Sequence, residues 1–90
     1  MNEKLIELKL RLKVKALGGK ALKFTSPYER GMPDRIILMP DGKTAFAEIK
    51  TTGKKPTALQ QQKLKELRDL GFRAEVIDSN ESLTKFINSL

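Results

Sequence analysis

Two apolar segments separated by a short turn constrain the fold of this chain more than any other feature. Ile36-Ile37-Leu38-Met39 is a continuous apolar run, as expected of a strand buried on both faces, and Thr44–Lys50 is a second strand. Between them, Met39-Pro40-Asp41-Gly42 suits a type I turn, with proline at its second position and Gly42 in a left-handed conformation. The pattern therefore predicts an antiparallel hairpin with a three-residue loop.

The register of this hairpin places two acidic side chains opposite each other. The predicted pairs are Met39 with Lys43, Leu38 with Thr44, Ile36 with Phe46, and Asp34 with Glu48. Directly opposed residues have Cβ atoms about 4.5–5.5 Å apart on one face. A two-residue loop would instead put the two carboxylates on opposite faces of the sheet. Lys50 follows Glu48 by two residues and therefore points to the same face as Glu48.

Two neighbouring carboxylates beside a lysine suit chemistry with a hard cation. Without a cation the two anions repel, and the pKa of one of them rises. With Mg²⁺ or Mn²⁺ they become oxygen ligands, the lysine holds or helps to deprotonate a water, and the cation stabilises charge on a phosphate. The alternative is an ordinary salt bridge at the strand end, such as Glu48 with Lys50. The spacing alone does not separate these two interpretations.

The composition limits the chemistry that the chain can perform. Its 90 residues include no cysteine and no histidine, which excludes disulfides, thiolate or imidazole zinc sites, a cysteine nucleophile and Ser-His-Asp catalysis. Lysine and arginine exceed aspartate and glutamate by 18 to 11, a net charge of +7, which favours nucleic acid as a partner. No targeting signal or membrane-spanning run is recognisable, so we expect a cytoplasmic protein with no membrane partner.

The remaining segments predict a single α/β domain over residues 1–90, with the order α-β-β-β-α-β-α. The other predicted elements are a helix from Glu3 to Leu17, a strand at Ala21–Phe24, a helix from Thr57 to Leu70, a strand at Phe72–Ile77 and a final helix capped by Asp78 with Glu81. Thr57 and Gln60 fit a capping box. Leucine and basic residues alternate in the first segment with the period of a strand, but the residue types favour a helix closed by Gly18-Gly19.

Several short motifs around the hairpin recur in one known family. They are Gly18-Gly19, Lys23-Phe24, Ser26-Pro27, Gly31-Met32-Pro33-Asp34-Arg35, Phe46-Ala47-Glu48-Ile49-Lys50, Gly53-Lys54-Lys55-Pro56, Leu59-Gln60 and Leu70-Gly71-Phe72. Together they resemble the VRR-NUC branch of the PD-(D/E)XK nuclease superfamily. The resemblance implies a restriction-endonuclease-like α-β-β-β-α-β core with a C-terminal helix. It also implies an endonuclease that hydrolyses phosphodiester bonds in DNA with Mg²⁺ or Mn²⁺.

The resemblance also assigns roles to the residues of the hairpin. Asp34 and Glu48 match the metal ligands of the family, and the main-chain carbonyl of Ile49 matches a further ligand. Lys50 matches the residue that orients and activates the attacking water.

Two further residues outside the hairpin match catalytic positions of the family. Its first helix usually contributes an acidic residue, for which Glu7 is the better match and Glu3, one turn earlier, is the alternative. Gln60 matches a glutamine near the metal or phosphate. The alternative for Gln60 is a capping residue only.

Phosphate contacts supply most of the affinity of a nuclease for nucleic acid. The candidates are Lys20, Lys23, Ser26, Arg30, Arg35, Lys54 and Lys55. For Lys23 alone, a solvated lysine at a strand end is the alternative. The basic stripe of the first helix is a weaker candidate, because such a stripe is usually a solvated face. With few aromatic residues and no recognisable reading helix, we expect recognition of DNA shape and not of DNA sequence.

The small size predicts assembly with a partner protomer. Minimal members of the family resemble phage or prophage nucleases and dimeric resolvases of four-way (Holliday) junctions, which implies a homodimer that acts on branched DNA in a bacterial host cell. The apolar residues of the first helix form two stripes, Leu5-Leu8-Leu12-Ala16 and Ile6-Leu10-Val14-Leu17. Together they exceed what one small core needs, so this helix is the candidate dimer face. The rival interpretations are a non-catalytic nucleic-acid-binding module, a subunit of a larger nuclease complex, and a sequence-specific restriction enzyme. The last is disfavoured because the 90 residues leave no obvious insert for reading a DNA sequence.

Overall fold

The computed structural model describes all residues from 1 to 90 and contains one four-stranded sheet. The elements are α1 (Glu3–Ala16), β1 (Lys20–Lys23), β2 (Arg35–Leu38), β3 (Thr44–Ile49), α2 (Ala58–Asp69), β4 (Arg73–Ile77) and α3 (Asn80–Asn88). The strands lie in the order β1-β2-β3-β4, with the first two pairings antiparallel and the last parallel. The predicted order of elements is confirmed.

The hairpin between β2 and β3 has the predicted register but a different turn. Leu38 pairs with Thr44 and Ile36 with Phe46, and the N–H of Met39 donates to the carbonyl of Lys43 at 2.8 Å. The prediction of a type I turn was wrong, because Asp41 has a φ of +67° where that turn requires about −90°. Asp41 and Gly42 both adopt positive φ. The loop nevertheless has three residues, and its length fixes the register.

The ends of the helices follow from local capping chemistry. Gly18, with a φ of +87°, ends α1, and the N–H groups of Gly18 and Gly19 satisfy the carbonyls of Lys15 and Val14. The first segment is thus a helix, as its residue types predict. At α3 the predicted cap was wrong by one position. Ser79 is the N-cap, in a reciprocal hydrogen-bond pair with Ser82.

The sheet is covered unequally on its two faces. On one face α1 and α3 bury a core that includes Ile6, Leu10, Ile37, Leu83 and Phe86. On the other face α2 covers β3 and β4 by packing Leu64 and Leu67 against Phe46 and Ala74. Helix α2 leaves the outer half of that face open. The prediction that β2 is buried on both faces is therefore corrected.

The open half of the α2 face carries two exposed leucines. Leu22 of β1 is 45% exposed and Leu38 of β2 is 39% exposed. None of the three helices is long and apolar enough to span a bilayer.

Candidate active site

Glu48 is the most unusual residue of the structure. It lies near the end of β3, only 1% of it is exposed, and neither of its carboxylate oxygens has a hydrogen-bond partner. Buried carboxylates in stable folds are normally paired or bound to a metal, because an unpaired buried charge is costly. A buried carboxyl group with no hydrogen-bond partner in the chain fits a site that a cation completes.

Asp34 lies directly before β2 at the same end of the sheet. The backbone N–H of Ile49 donates to its Oδ2 at 2.9 Å, and the carbonyl of Asp34 accepts from the N–H of Phe24 at 2.8 Å. These bonds continue the sheet past the last paired residues of β2. They hold the Asp34 carboxylate next to the strand that carries Glu48, as the predicted register requires.

The two carboxylates influence each other electrostatically. Burial and then the neighbouring Asp34 carboxylate raise the pKa of Glu48 to about 8, while the charge of Lys50 acts in the opposite direction. The structure thus brings Asp34, Glu48 and Lys50 into one electrostatic cluster. The donor set is all oxygen, which fits a hard divalent cation such as Mg²⁺ or Mn²⁺. Ile49, whose main-chain carbonyl was a predicted ligand, is buried at the end of β3.

Glu7 is not joined to this cluster. Its Oε2 lies 3.6 Å from a terminal nitrogen of Arg35, whose other terminal nitrogen donates to the carbonyl of Ala21 at 3.3 Å. Arg35 directly follows Asp34, so the two side chains point to opposite faces of the sheet, and Arg35 lies on the α1 side. No group of three or more acidic side chains is close enough to share one ion. Glu3, the alternative, is exposed in the first turn of α1.

The same ion pair bears on the predicted DNA contact of Arg35. Its side chain is only 11% exposed and its terminal nitrogens are engaged within the chain. Arg35 therefore ties α1 and β1 to β2, and its surface for a phosphate is small.

Gln60 serves as a cap in the structure. Its backbone N–H donates to Oγ1 of Thr57 at 3.1 Å, and its Oε1 accepts from the N–H of Thr57 at 2.9 Å. The predicted capping box is confirmed. The Oε1 atom is occupied by the cap, and the amide nitrogen is the only side-chain group left for a substrate.

Most of the other predicted phosphate contacts are exposed. Lys20, Lys23, Arg30, Lys54 and Lys55 are exposed and none of them takes part in a salt bridge, whereas Ser26 is half-buried. Lys20 and Lys23 are three apart on β1 and so point to opposite faces of the sheet. The strand thus does not present them as one patch.

Two anchoring contacts near the site have only weak sequence signals. Oγ1 of Thr52 donates to the carbonyl of Asp78 at 2.6 Å, which ties the basic loop after β3 to the end of β4. A Cβ on Gly31, whose φ is +82°, would lie 2.8 Å from Cγ of Leu59, so the loop before Asp34 packs closely on α2. Gly31 belongs to a recognised motif, but its contact with α2 depends on the tertiary fold.

The chain is similar to known proteins over nearly its whole length. The VRR-NUC domain family matches residues 3–81. A phage protein described as "Putative nuclease p44", from Acyrthosiphon pisum secondary endosymbiont phage 1, is 42% identical over 81 residues, which cover 90% of this chain and 87% of that protein.

Solved structures agree with the sequence match. One described as "VRR_NUC domain" superposes with a TM-score of 0.88 at 26% identity, covering 96% of this chain and 94% of the other. A second, "VRR_NUC domain protein", superposes with a TM-score of 0.66 at 19% identity, covering 98% and 86%, and shows the shared fold. The chain therefore belongs to the VRR-NUC family of nuclease domains.

Proposed function

We propose that this chain is a Mg²⁺- or Mn²⁺-dependent endonuclease that cuts branched DNA, as a homodimer that resolves four-way junctions. The observation that carries the proposal is the buried Glu48 carboxylate, which has no donor of its own and lies beside Asp34 and Lys50. A non-catalytic binding module has no use for this arrangement, because two carboxylates without a cation repel a phosphate.

Asp34 and Glu48 would hold a divalent ion, with the main-chain carbonyl of Ile49 as a further oxygen ligand. An ion held there would supply Lewis-acid stabilisation of charge on the phosphate and a lowered pKa for the water. The hydrogen bond from Ile49 uses Oδ2 of Asp34 and fixes the orientation of that carboxylate. Lys50 lies close enough to Glu48 to oppose the rise of its pKa. From there Lys50 donates to the attacking water or to a phosphate oxygen and orients it.

Substrate binding rests on the exposed basic side chains that border this end of the sheet. Lys54 and Lys55 lie in the loop that follows Lys50, and Arg30 lies in the loop that precedes Asp34. These unpaired cations bind DNA phosphates without reading the base sequence. The amide nitrogen of Gln60 is a further donor, and Ser26 and Lys23 extend the surface along β1.

A dimer supplies the two active sites that symmetric cuts require. We propose that the two protomers meet on the open half of the sheet, where Leu22 and Leu38 are exposed. This differs from the sequence-based expectation that the apolar residues of α1 form the dimer face. The exposed leucines of α1 are flanked by basic residues, and a symmetric pair would bring like charges together. We propose that the protein acts in the cytoplasm of a bacterial host, in keeping with its phage relative.

The test is cleavage of labelled four-way junction, flap, duplex and single-stranded DNA with Mg²⁺, Mn²⁺ or EDTA. We expect paired symmetric nicks in the junction with either metal, none with EDTA, and none with Asp34→Asn or Glu48→Gln. Glu81→Gln is a matched control, because Glu81 is exposed on α3 and its carboxylate contacts only Lys85. Tight binding without cutting under any metal would contradict nuclease activity of the isolated chain.

The oligomeric state is measured separately by light scattering. We expect a dimer for the wild type and a monomer for the double variant Leu22→Gln with Leu38→Gln. A wild-type monomer that cuts flaps in preference to junctions would keep the nuclease proposal and reject the resolvase.

A further inference from the structure

The outward face of α1 carries an apolar stripe that no part of the chain covers. Leu5, Leu8 and Leu12 are 41%, 44% and 57% exposed. The opposite face of the same helix buries Ile6, Leu10 and Val14 in the core. The three leucines are therefore not needed for the core of this chain, and the fold alone does not explain why apolar side chains occupy these exposed positions.

The spacing of this stripe is that of a coiled-coil seam. Residues 5, 8 and 12 are separated by three and then four positions, which corresponds to successive a, d and a positions of a heptad. In that frame the flanking e and g positions are Lys4, Lys9 and Arg11. All three flanking residues are basic. Charges at these positions determine which helix can pair with the seam.

The basic residues of this face have no acidic partner within the chain. None of Lys4, Lys9, Arg11, Lys13 and Lys15 takes part in a salt bridge. Lys9 makes one neutral contact, to Oδ1 of Asn80 at 3.1 Å. The one acidic residue of α1 that is paired, Glu7, is bound to Arg35 on the core side. The seam thus presents leucines with Lys4 and Arg11 on one side and Lys9 on the other, none of which is neutralised by an acidic side chain.

We propose that this face of α1 docks an amphipathic helix of a partner protein, with leucine or similar residues on its seam and glutamates at the flanking positions. A second copy of this chain is disfavoured, because it would place lysine and arginine against lysine and arginine. DNA alone leaves the leucines without apolar contacts. A bilayer surface is matched by a broad apolar face, whereas this stripe is narrow. The inference concerns a surface remote in sequence from the carboxylate site and goes beyond the proposed function.

The test uses the full chain and three labelled synthetic peptides, each three heptads long. One peptide has leucine at a and d with glutamate at e and g. The second has lysine at e and g, and the third keeps the glutamates but has glutamine at a and d. We expect fluorescence anisotropy to show binding of the first peptide at least about ten-fold tighter than of either other peptide.

Variants of the seam make the test specific. We expect the triple variant Leu5→Gln, Leu8→Gln, Leu12→Gln to abolish binding, and the single variant Leu12→Gln, at the most exposed of the three leucines, to weaken it. Circular dichroism and thermal melting verify that both are folded. The variant Lys4→Glu, Lys9→Glu, Arg11→Glu inverts the preference and binds the lysine peptide.

Four results would overturn the proposal. The first is equal binding of the two glutamate peptides, which would show attraction by net charge alone. The second is binding that the leucine variants leave unchanged. The third is sedimentation with phosphatidylserine vesicles while no peptide binds, which would assign the face to lipid. The fourth is conversion of a wild-type dimer to a monomer by the leucine variants, which would assign it to self-association.

Discussion

The backbone N–H of Ile49 donates a 2.9 Å hydrogen bond to Oδ2 of Asp34. At this end of the β2–β3 pairing, the acceptor is therefore a side-chain carboxylate and not a backbone carbonyl. This bond links the position of one carboxylate to the strand that carries the other. Because Ile49 directly follows Glu48, a shift of β3 against β2 would break this hydrogen bond and move Glu48 away from Asp34. The geometry of the pair therefore depends on the register of the hairpin.

Replacing Asp34 by asparagine separates the structural and the electrostatic roles of the carboxylate. The amide oxygen of the new side chain still accepts from Ile49, so we expect a folded protein that loses about 1 kcal/mol of stability or less. Cleavage is lost because the negative charge is gone. The pKa of Glu48 falls, because the Asp34 charge is one of the causes that raise it. Thermal melting, nuclease assays and carboxyl NMR titration measure these three effects, and an unchanged pKa of Glu48 would contradict the assigned coupling.

Stability without metal depends on pH through Glu48. Its pKa is about 8 in the folded protein and 4.5 in its ordinary state. Between these values the unfolded chain has released the proton while the folded chain retains it, so the free energy of unfolding falls as pH rises from about 4.5 to about 8. Urea denaturation in EDTA at pH 5 and pH 8 measures the loss.

The variant Glu48→Gln is the control for this pH dependence. It cannot titrate, so we expect its stability to change less over the same pH window. At pH 8 in EDTA we expect it to be more stable than the wild type, although it cuts no DNA. Saturating Mn²⁺ should stabilise the wild type more at pH 8 than at pH 5, since metal and proton compete for the same carboxylate. A pH-independent difference between the two proteins would contradict the raised pKa.

The ion pair of Glu7 with Arg35 allows the two roles of Glu7 to be distinguished. If Glu7 holds Arg35, we expect Glu7→Gln to lower the free energy of unfolding by about 1–3 kcal/mol, because the largely buried Arg35 side chain loses its charged partner. The affinity for Mn²⁺, measured by isothermal titration calorimetry, should then stay within about two-fold of the wild type. Glu3→Gln serves as the matched control on the same helix. A loss of about ten-fold or more in metal affinity with stability unchanged would make Glu7 a ligand.

Gln60 can be tested by a substitution that preserves its cap. Glutamate also completes a capping box at this position, so we expect Gln60→Glu to keep the stability of α2, whereas Gln60→Ala loses about 1 kcal/mol. Gln60→Glu replaces the amide donor by a negative charge near the DNA. Slower cleavage by Gln60→Glu with unchanged melting temperature indicates a substrate contact. If the cleavage rate of each variant changes only as its melting temperature changes, Gln60 acts as a cap alone.

Local rules of sequence were enough to predict the hairpin, its register and the carboxylate pair. Loop length sets the register, and a strand alternates its side chains whatever lies around it, so Asp34, Glu48 and Lys50 could be grouped before any packing was known. The capping box of α2 and the glycine stops of α1 and α2 are equally local. The motifs in the first 81 residues also carry the family signal.

The surroundings of these residues, in contrast, depend on how distant segments pack. The burial of Glu48, which raises its pKa, depends on the folded chain around β3, and the ion pair between Glu7 and Arg35 depends on how α1 packs on the sheet. The helical pattern of α1 predicts one surplus apolar stripe, and the side of the helix that the core takes decides which stripe is exposed. Burial and ion pairs of this kind arise from contacts between segments distant in sequence, which local patterns do not specify.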